Sequence, residues 1–257
     1  MKTKSDWNPS LYLNFDEERS LAATDLIRKI RCTPKTILDV GCGPGNTREH
    51  FLEKWPSVSI TGVDSSPAMI EKALKDFPQS NWILADVSSW NSERTYDLVF
   101  SNAVIQWTPD HQNLLNKLFS CVSEGGGLAV QFPNFSKMPV AKSIDLVFQK
   151  WSRETPLDVK SIFTINEPQF YDSILRPISR HFELWETSYF HTMDSVQAIV
   201  DMLRSTGLRP YLNALSTPES KIGFEKDLIS RISEQYPEQP DGKVLFPFRR
   251  IFFIAYK

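Results

Sequence analysis

Between Thr36 and Gln131, apolar runs of strand length alternate with segments whose apolar residues recur at helical spacing, and this rhythm limits the fold more than any other feature of the chain. It is the pattern expected when parallel strands are covered by helices on both faces. Strands are expected at Thr36 to Val40, Val58 to Val63, Trp82 to Ala85, Leu98 to Ser101 and Leu128 to Phe132. Met69, Ile70, Ala73, Leu74 and Phe77 mark a helix that Ser66 caps and Pro67 opens. Leu114, Leu115, Leu118, Phe119 and Val122 mark another, started by Thr108 and Pro109 and ended by Gly125, Gly126 and Gly127.

After Phe132 the rhythm changes, with Pro133, Pro139, Pro156, Pro168 and Pro177 interrupting shorter helical segments among many aromatics. This reads as an inserted, mainly helical cap over residues 136–181. Strand-like segments return at Glu183 to Tyr189 and Arg250 to Tyr256, around an amphipathic helix with Val196, Ile199, Val200 and Leu203 that Gly207 closes. The expected fold is a doubly wound α/β domain on a mostly parallel seven-stranded, Rossmann-like sheet. Residues 1–135 hold an N-terminal lid and the ligand-binding core, and residues 182–257 complete the sheet with a further cap segment, as one domain overall.

With 257 residues, 41% hydrophobic and 23% charged, the chain can bury one sizeable core and carries no signature of disorder. A formal net charge of −2 gives no electrostatic reason to bind nucleic acid. The three cysteines, Cys32, Cys42 and Cys121, are odd in number and lack metal-type spacing, which fits reduced thiols in the cytoplasm. His111 and His191 also have no partner at ligand spacing, so no metal is expected. Met1 to Asn14 does not resemble a secretory signal, and no apolar stretch approaches the ~20 residues of a membrane span. A monomer acting on a small molecule, with neither membrane nor nucleic acid as partner, is the expectation.

The strand Thr36 to Val40 runs directly into Gly41-Cys42-Gly43-Pro44-Gly45 and then a helix, which brings backbone N–H groups and a helix start close to a ligand. The next strand ends at Asp64, where a carboxylate can accept both hydroxyls of an adenosine ribose, with Ser65 beside it. Asp86 follows the third strand and can reach an adenine amine while Val87 offers its backbone. Asp39 lies inside an otherwise apolar strand, where an idle carboxylate is costly, so it is counted among the ligand-binding candidates, with hydrogen bonding to the glycine loop as its structural alternative. Taken singly, Asp64 and Asp86 are equally compatible with solvated strand ends.

At these residues the chain resembles the class I S-adenosylmethionine (SAM)-dependent methyltransferases, whose signatures match Ile37 to Gly45, Asp64, Ala85-Asp86-Val87 and Tyr96 to Asn102. The resemblance implies SAM as cofactor, its methionine end over the glycine loop, with backbone contacts from Gly41 and Asn102. The loop is shorter than the dinucleotide fingerprint, which leaves a nicotinamide enzyme a distant alternative. Ser101-Asn102-Ala103-Val104 lacks the Asn-Pro-Pro-Tyr signature of enzymes that methylate exocyclic amines.

A closer resemblance, over nearly the whole chain, is to the trans-aconitate 2-methyltransferase family, which esterifies a carboxylate of a small tricarboxylic acid. It rests on Asp6 to Leu13 with Glu18-Arg19, on Thr61 to Ile70, and on Gln106 to His111. Ala129-Val130-Gln131, Thr206 to Pro210 and a terminal run with Phe248, Arg250 and Phe252 add to it. Phe132-Pro133-Asn134 departs from the family's usual Met-Pro-Asp, and Arg249 stands where the family favours proline.

A carboxylate is already ionised at neutral pH, so its attack on a methyl sulfonium requires no general base, and no catalytic acid or base is expected. The pocket must instead hold the other carboxylates, a task that suits arginine forks and tyrosine hydroxyls. Arg209 is the first candidate anchor and Arg250 the second, with Tyr171, Tyr189 and His191 as further donors. Trp107 would wall the transfer site, and Tyr12 and Arg19, with Trp7, would form a lid. Packing or helix capping is the plain structural alternative for each. The expected activity is O-methylation of a small polycarboxylate, trans-aconitate foremost. Methylation of a malonyl thioester or quinone precursor, and SAM binding without turnover, are the alternatives.

Overall fold

In the computed structural model, which describes residues 16–152 and 163–257, the apolar runs form one sheet. Its strands are β1 (Thr36–Val40), β2 (Ser59–Asp64), β3 (Asn81–Leu84), β4 (Tyr96–Asn102), β5 (Val122–Pro133), β6 (His181–Met193) and β7 (Val244–Tyr256). They lie in the order β3-β2-β1-β4-β5-β7-β6. The helices are α1 (Asp16–Lys29), α2 (Thr47–Lys54), α3 (Pro67–Asp76), α4 (His111–Ser120) and α5 (Pro139–Trp151), then α6 (Pro168–Leu175), α7 (Val196–Arg204), α8 (Arg209–Ala214) and α9 (Pro218–Ser233). Among the described residues no helix is long and apolar enough to cross a membrane.

β1 pairs in parallel with β2 and β4, β2 with β3, and β4 with β5. In register, Val40 faces Val63 and Ser101, Asp64 faces Leu84, and Asn102 faces Gln131. The carboxyl ends of these strands therefore share one edge of the sheet, where open α/β sheets bind ligands. β1 and β4 are almost wholly buried, which accounts for their near-continuous apolar runs.

Ser66 caps α3 as expected, its hydroxyl accepting from the Met69 N–H at 3.3 Å with Pro67 at the first turn. Two other expectations are corrected. α4 is capped by Asp110, whose carboxylate accepts from the Asn113 N–H at 3.1 Å, rather than by Thr108. Gly125, Gly126 and Gly127 do not end a helix: α4 stops at Ser120, and the glycines lie inside β5, which begins at Val122. A Cβ at Gly126 would come within 2.5 Å of the Asp97 carbonyl oxygen, so this run admits close strand pairing, which has no helical signature.

The described residues fall into two compact units. One comprises residues 16–133, 164–186 and 251–257, the other residues 134–152, 163 and 187–250. The segment expected to form a cap over 136–181 is thus shared: α5 belongs to the second unit and α6 to the first. The first unit's core is built from β1, β4 and β5 with α4 and Tyr171, Phe182 and Phe253. In the second unit α5 packs on α9, with Phe148 edge-on to Tyr211 and Phe224 at 5.2 and 6.0 Å between centroids. The Tyr211 hydroxyl donates to Asp145 at 2.8 Å, satisfying a polar tip inside that core.

Candidate active site

The first unit builds a cradle from the turn after β1. Gly41, Gly43 and Gly45 have φ of +67°, +54° and +84°, which bend the chain sharply into α2. The Gly41 and Cys42 N–H groups both donate to the Val63 carbonyl, at 2.7 and 3.1 Å, tying the turn to β2. Two of these glycines differ in what surrounds them. A Cβ on Gly41 would stand 2.1 Å from a Val104 methyl, whereas one on Gly43 would meet nothing within 4 Å. Gly41 thus fixes how closely two loops approach, and Gly43 faces open space.

Asp64 braces this cradle from the end of β2. One of its oxygens accepts the Gly43 N–H at 2.9 Å and the other the Ser66 N–H at 2.8 Å. Asp64 is half-buried, while Ser65 beside it is exposed. Asp39 lies deeper, 2% exposed, and burial together with the charge of Asp64 pushes its carboxyl up to about 7.

Beyond β3, Asp86 is exposed and accepts the Ser88 N–H at 2.8 Å, shaping a turn that keeps Val87 buried. The Lys117 ammonium, on α4, donates to the Val87 and Ser88 carbonyls, the latter at 2.9 Å. A cavity of about 260 Å³ opens there, lined by Ser88, Thr108, Asp110, Asn113 and Lys117 among others. Nothing in the local sequence marks Lys117, because the carbonyls it holds lie on another element.

The loop after β4 closes the same edge. Gln131 donates its side-chain N–H to the Asn102 amide oxygen. Ala103 then adopts φ +57°, a left-handed conformation uncommon for alanine, and its carbonyl accepts from the Gln106 side chain at 2.8 Å. Val104 follows, the residue against Gly41. Trp107 ends a single 3₁₀ turn, Ile105–Trp107, and is half-buried. Ala103 and Val104 escape sequence reading because small apolar residues carry no chemical signal of their own.

The proposed substrate residues separate. Tyr171 belongs to the first unit and is 0% exposed, its hydroxyl engaged by His111 at 3.0 Å and by the Asn166 N–H at 3.1 Å. Tyr189, His191 and Arg250 meet in the second unit, on β6 and β7. The Tyr189 and His191 rings stack at 6.3 Å, His191 lies 6.1 Å from Phe248, and the Arg250 guanidinium sits 4.6 Å from the centre of the same Phe248 ring. Arg250 is only 6% exposed. Burial, and then the charge of Arg250, push His191 down to about 4, so its imidazole is neutral at pH 7. Arg209 is half-buried at the first residue of α8. Tyr12 lies outside the described residues, and Arg19 lies on α1 where only the backbone is described.

A family profile described as a methyltransferase domain matches residues 37–126, the stretch that carries the cradle. Among solved structures, a putative methyltransferase from Bacillus halodurans shares the fold at a TM-score of 0.55 and 15% identity, over 91% of this chain and 97% of that one. The plantazolicin methyltransferase BpumL, solved with SAH, does so at 0.51 and 17%, over 96% and 90%. Sequence relatives are nearer. The trans-aconitate 2-methyltransferase of Escherichia coli O139:H28 is 40% identical over 98% of both chains. That of Rhodopseudomonas palustris is 38% identical over 98% of this chain and all of its own. This chain therefore belongs to the trans-aconitate 2-methyltransferase family, enzymes of the SAM-dependent methyltransferase class with S-adenosyl-L-methionine as cofactor.

Proposed function

We propose that this enzyme transfers the SAM methyl group to a carboxylate of trans-aconitate, forming a monomethyl ester. The observation that carries the acceptor class is the buried guanidinium of Arg250 in a nest of Tyr189, His191 and Phe248. A guanidinium stripped of water attracts an incoming carboxylate far more strongly than a surface arginine does. The name carried by the full-length relatives points to the same acid.

The residues of the first unit fit the cofactor. Gly43 leaves open space where a Cβ would stand, and Asp64 holds the loop from the end of β2, where a carboxylate suits ribose hydroxyls. Asp39 supplies a buried acid suited to a cationic ligand. In this reading Asp39, Gly41, Gly43, Gly45, Asp64, Ser65, Asp86, Val87 and Asn102 hold the cofactor. Bound SAM supplies a methyl group on a sulfonium, which an ionised carboxylate can attack without losing a proton. The chain's own work is then to orient the acid and exclude water, with no general base. Arg250 anchors a carboxylate that does not react, and Tyr189 and neutral His191 can each donate one hydrogen bond. Arg209 becomes the second anchor, and Tyr171 leaves the donor set because its hydroxyl is already engaged.

Labelled SAM offered with trans-aconitate, cis-aconitate, isocitrate and citrate tests the reading: turnover confined to trans-aconitate supports it, and turnover of none of them overturns the acceptor. Arg250→Gln should raise the acceptor KM by roughly tenfold or more, the weight of one charge-assisted fork, with SAM affinity unchanged. Equal loss of both would reject Arg250 as an anchor.

A pH dependence follows from Asp39. In the ligand-free protein its carboxyl is raised from 3.8 to about 7, so between those values the folded state holds a proton that the unfolded chain has lost. Its contribution to stability therefore falls as pH rises through that window. A cation beside it favours the carboxylate, so SAM binding should release a proton below pH 7 and tighten as pH rises towards 7. Calorimetry in buffers of different ionisation enthalpy counts that proton, and Asp39→Asn should abolish the release. Proton release unchanged in that variant would remove Asp39 from the cofactor site.

A further inference from the structure

The loop after β4 is held by a side chain that methyl transfer itself does not use. His111, 1% exposed at the start of α4, meets the Ile105 carbonyl through Nε2 at 2.7 Å and the Tyr171 hydroxyl through Nδ1 at 3.0 Å. A carbonyl can only accept, so Nε2 carries the proton. In the neutral ring Nδ1 is then an acceptor for the Tyr171 O–H. Burial holds the imidazole below its ordinary pKa, opposed in part by the Ile105 bond and the charge of Asp110, and burial likewise pushes the Tyr171 hydroxyl up to about 12. Both groups are therefore neutral at physiological pH.

The network reaches further on both sides. The Tyr171 hydroxyl accepts the Asn166 N–H at 3.1 Å, and the Thr164 N–H donates to the Gln106 carbonyl at 2.9 Å. The segment entering α6 is thus tied to the turn Ile105–Trp107 directly by Thr164, and by Asn166 through Tyr171 and His111. The residue before that turn is Val104, which lies against Gly41 and would touch any Cβ placed there. A continuous path of contacts runs from Tyr171 through His111 and Ile105 to Val104 and the glycine loop.

We propose that His111 is a positioning residue for methyl transfer: its neutral ring, bonded to the Ile105 carbonyl and the Tyr171 hydroxyl, holds Val104 against Gly41 and keeps the glycine loop in its cofactor-binding shape. The inference rests on the cofactor half of the proposed function alone. SAM binding is measured without any acid, so trans-aconitate could fail as acceptor with this result standing.

Two variants of the full chain separate the roles. His111→Phe keeps a flat ring and deletes the bonds to the Ile105 carbonyl and the Tyr171 hydroxyl, together with the 3.3 Å contact that the Asn166 side-chain amide makes with Nδ1. His111→Gln keeps an amide N–H for the Ile105 carbonyl and an oxygen for the Tyr171 hydroxyl. In the ligand-free Phe variant, amide hydrogen exchange over residues 103–108 should quicken about tenfold and SAM Kd by calorimetry should rise about tenfold, as expected for a lost buried hydrogen bond. The Gln variant should recover both to within about threefold. A role confined to packing would leave the Gln variant no better than Phe, or leave exchange and SAM Kd at wild-type values in both; either result overturns the proposal. Should the Phe variant fail to fold, Tyr171→Phe, which removes one hydroxyl from a ring that stays packed, takes its place. Faster exchange and weaker SAM binding then support the proposal, and unchanged values overturn it.

Discussion

Gly41→Ala should destroy SAM binding and lower the melting temperature together. The backbone there stands at φ +67°, where an L-residue with a Cβ is disfavoured by about 1–2 kcal/mol, and the new methyl would come 2.1 Å from Val104. Overpacking of that kind adds about 1–3 kcal/mol unless the neighbour moves. Together these should lower the melting temperature by roughly 5–15 °C in a chain of this size. The contrast is Gly43→Ala. Its φ of +54° carries a similar conformational penalty, but a Cβ there meets nothing within 4 Å. That variant should melt within a few degrees of the wild type, about 1–2 kcal/mol of strain. Its methyl would still stand in the space assigned to the cofactor, so SAM affinity should fall steeply. Thermal melting with and without SAM reads both effects. Normal SAM affinity in Gly43→Ala would place the cofactor elsewhere.

Asp64→Ala carries the second large effect. The carboxylate holds the Gly43 and Ser66 N–H groups at 2.9 and 2.8 Å, so its removal frees the glycine loop as well as the ribose contact. Hydrogen bonds to a charged acceptor are worth about 1.5–3 kcal/mol each, so SAM Kd should rise on the order of a hundredfold or more. Asp64→Asn retains one acceptor oxygen and should fall between. Calorimetry decides, and an unchanged Kd in Asp64→Ala would show that the carboxylate only shapes the turn.

The elements of the proposed cofactor site were legible along the chain because each is a local feature. Strand, glycine turn and helix follow one another from Thr36, and Asp64 and Asp86 each close or follow a strand whose apolar run announces it. Parallel pairing then places such ends on one edge without further instruction. Gly125 to Gly127 misled for a physical reason: glycine commonly stops helices, and the close approach of Gly126 to Asp97 is a property of neighbouring strands. Asp110 was passed over as the α4 cap because Thr108 and Pro109 carry an equally valid start signal just before it.

What the sequence determined by itself is therefore the doubly wound, mostly parallel seven-stranded architecture, the glycine turn at the end of β1 and the family to which the chain belongs, whereas the strand order came from the folded sheet. What only the tertiary structure decided are the long-range partners: Val104 against Gly41, Lys117 on the Val87 and Ser88 carbonyls, and His111 between Ile105 and Tyr171. Tertiary contact likewise divided the substrate candidates, burying Tyr171 in a neutral network and gathering Tyr189, His191 and Arg250 around Phe248. Local spacing encodes backbone shape through propensity and periodicity, whereas the partner of a buried donor, or the depth at which an arginine loses its water, depends on residues tens of positions away that meet only when the chain has folded.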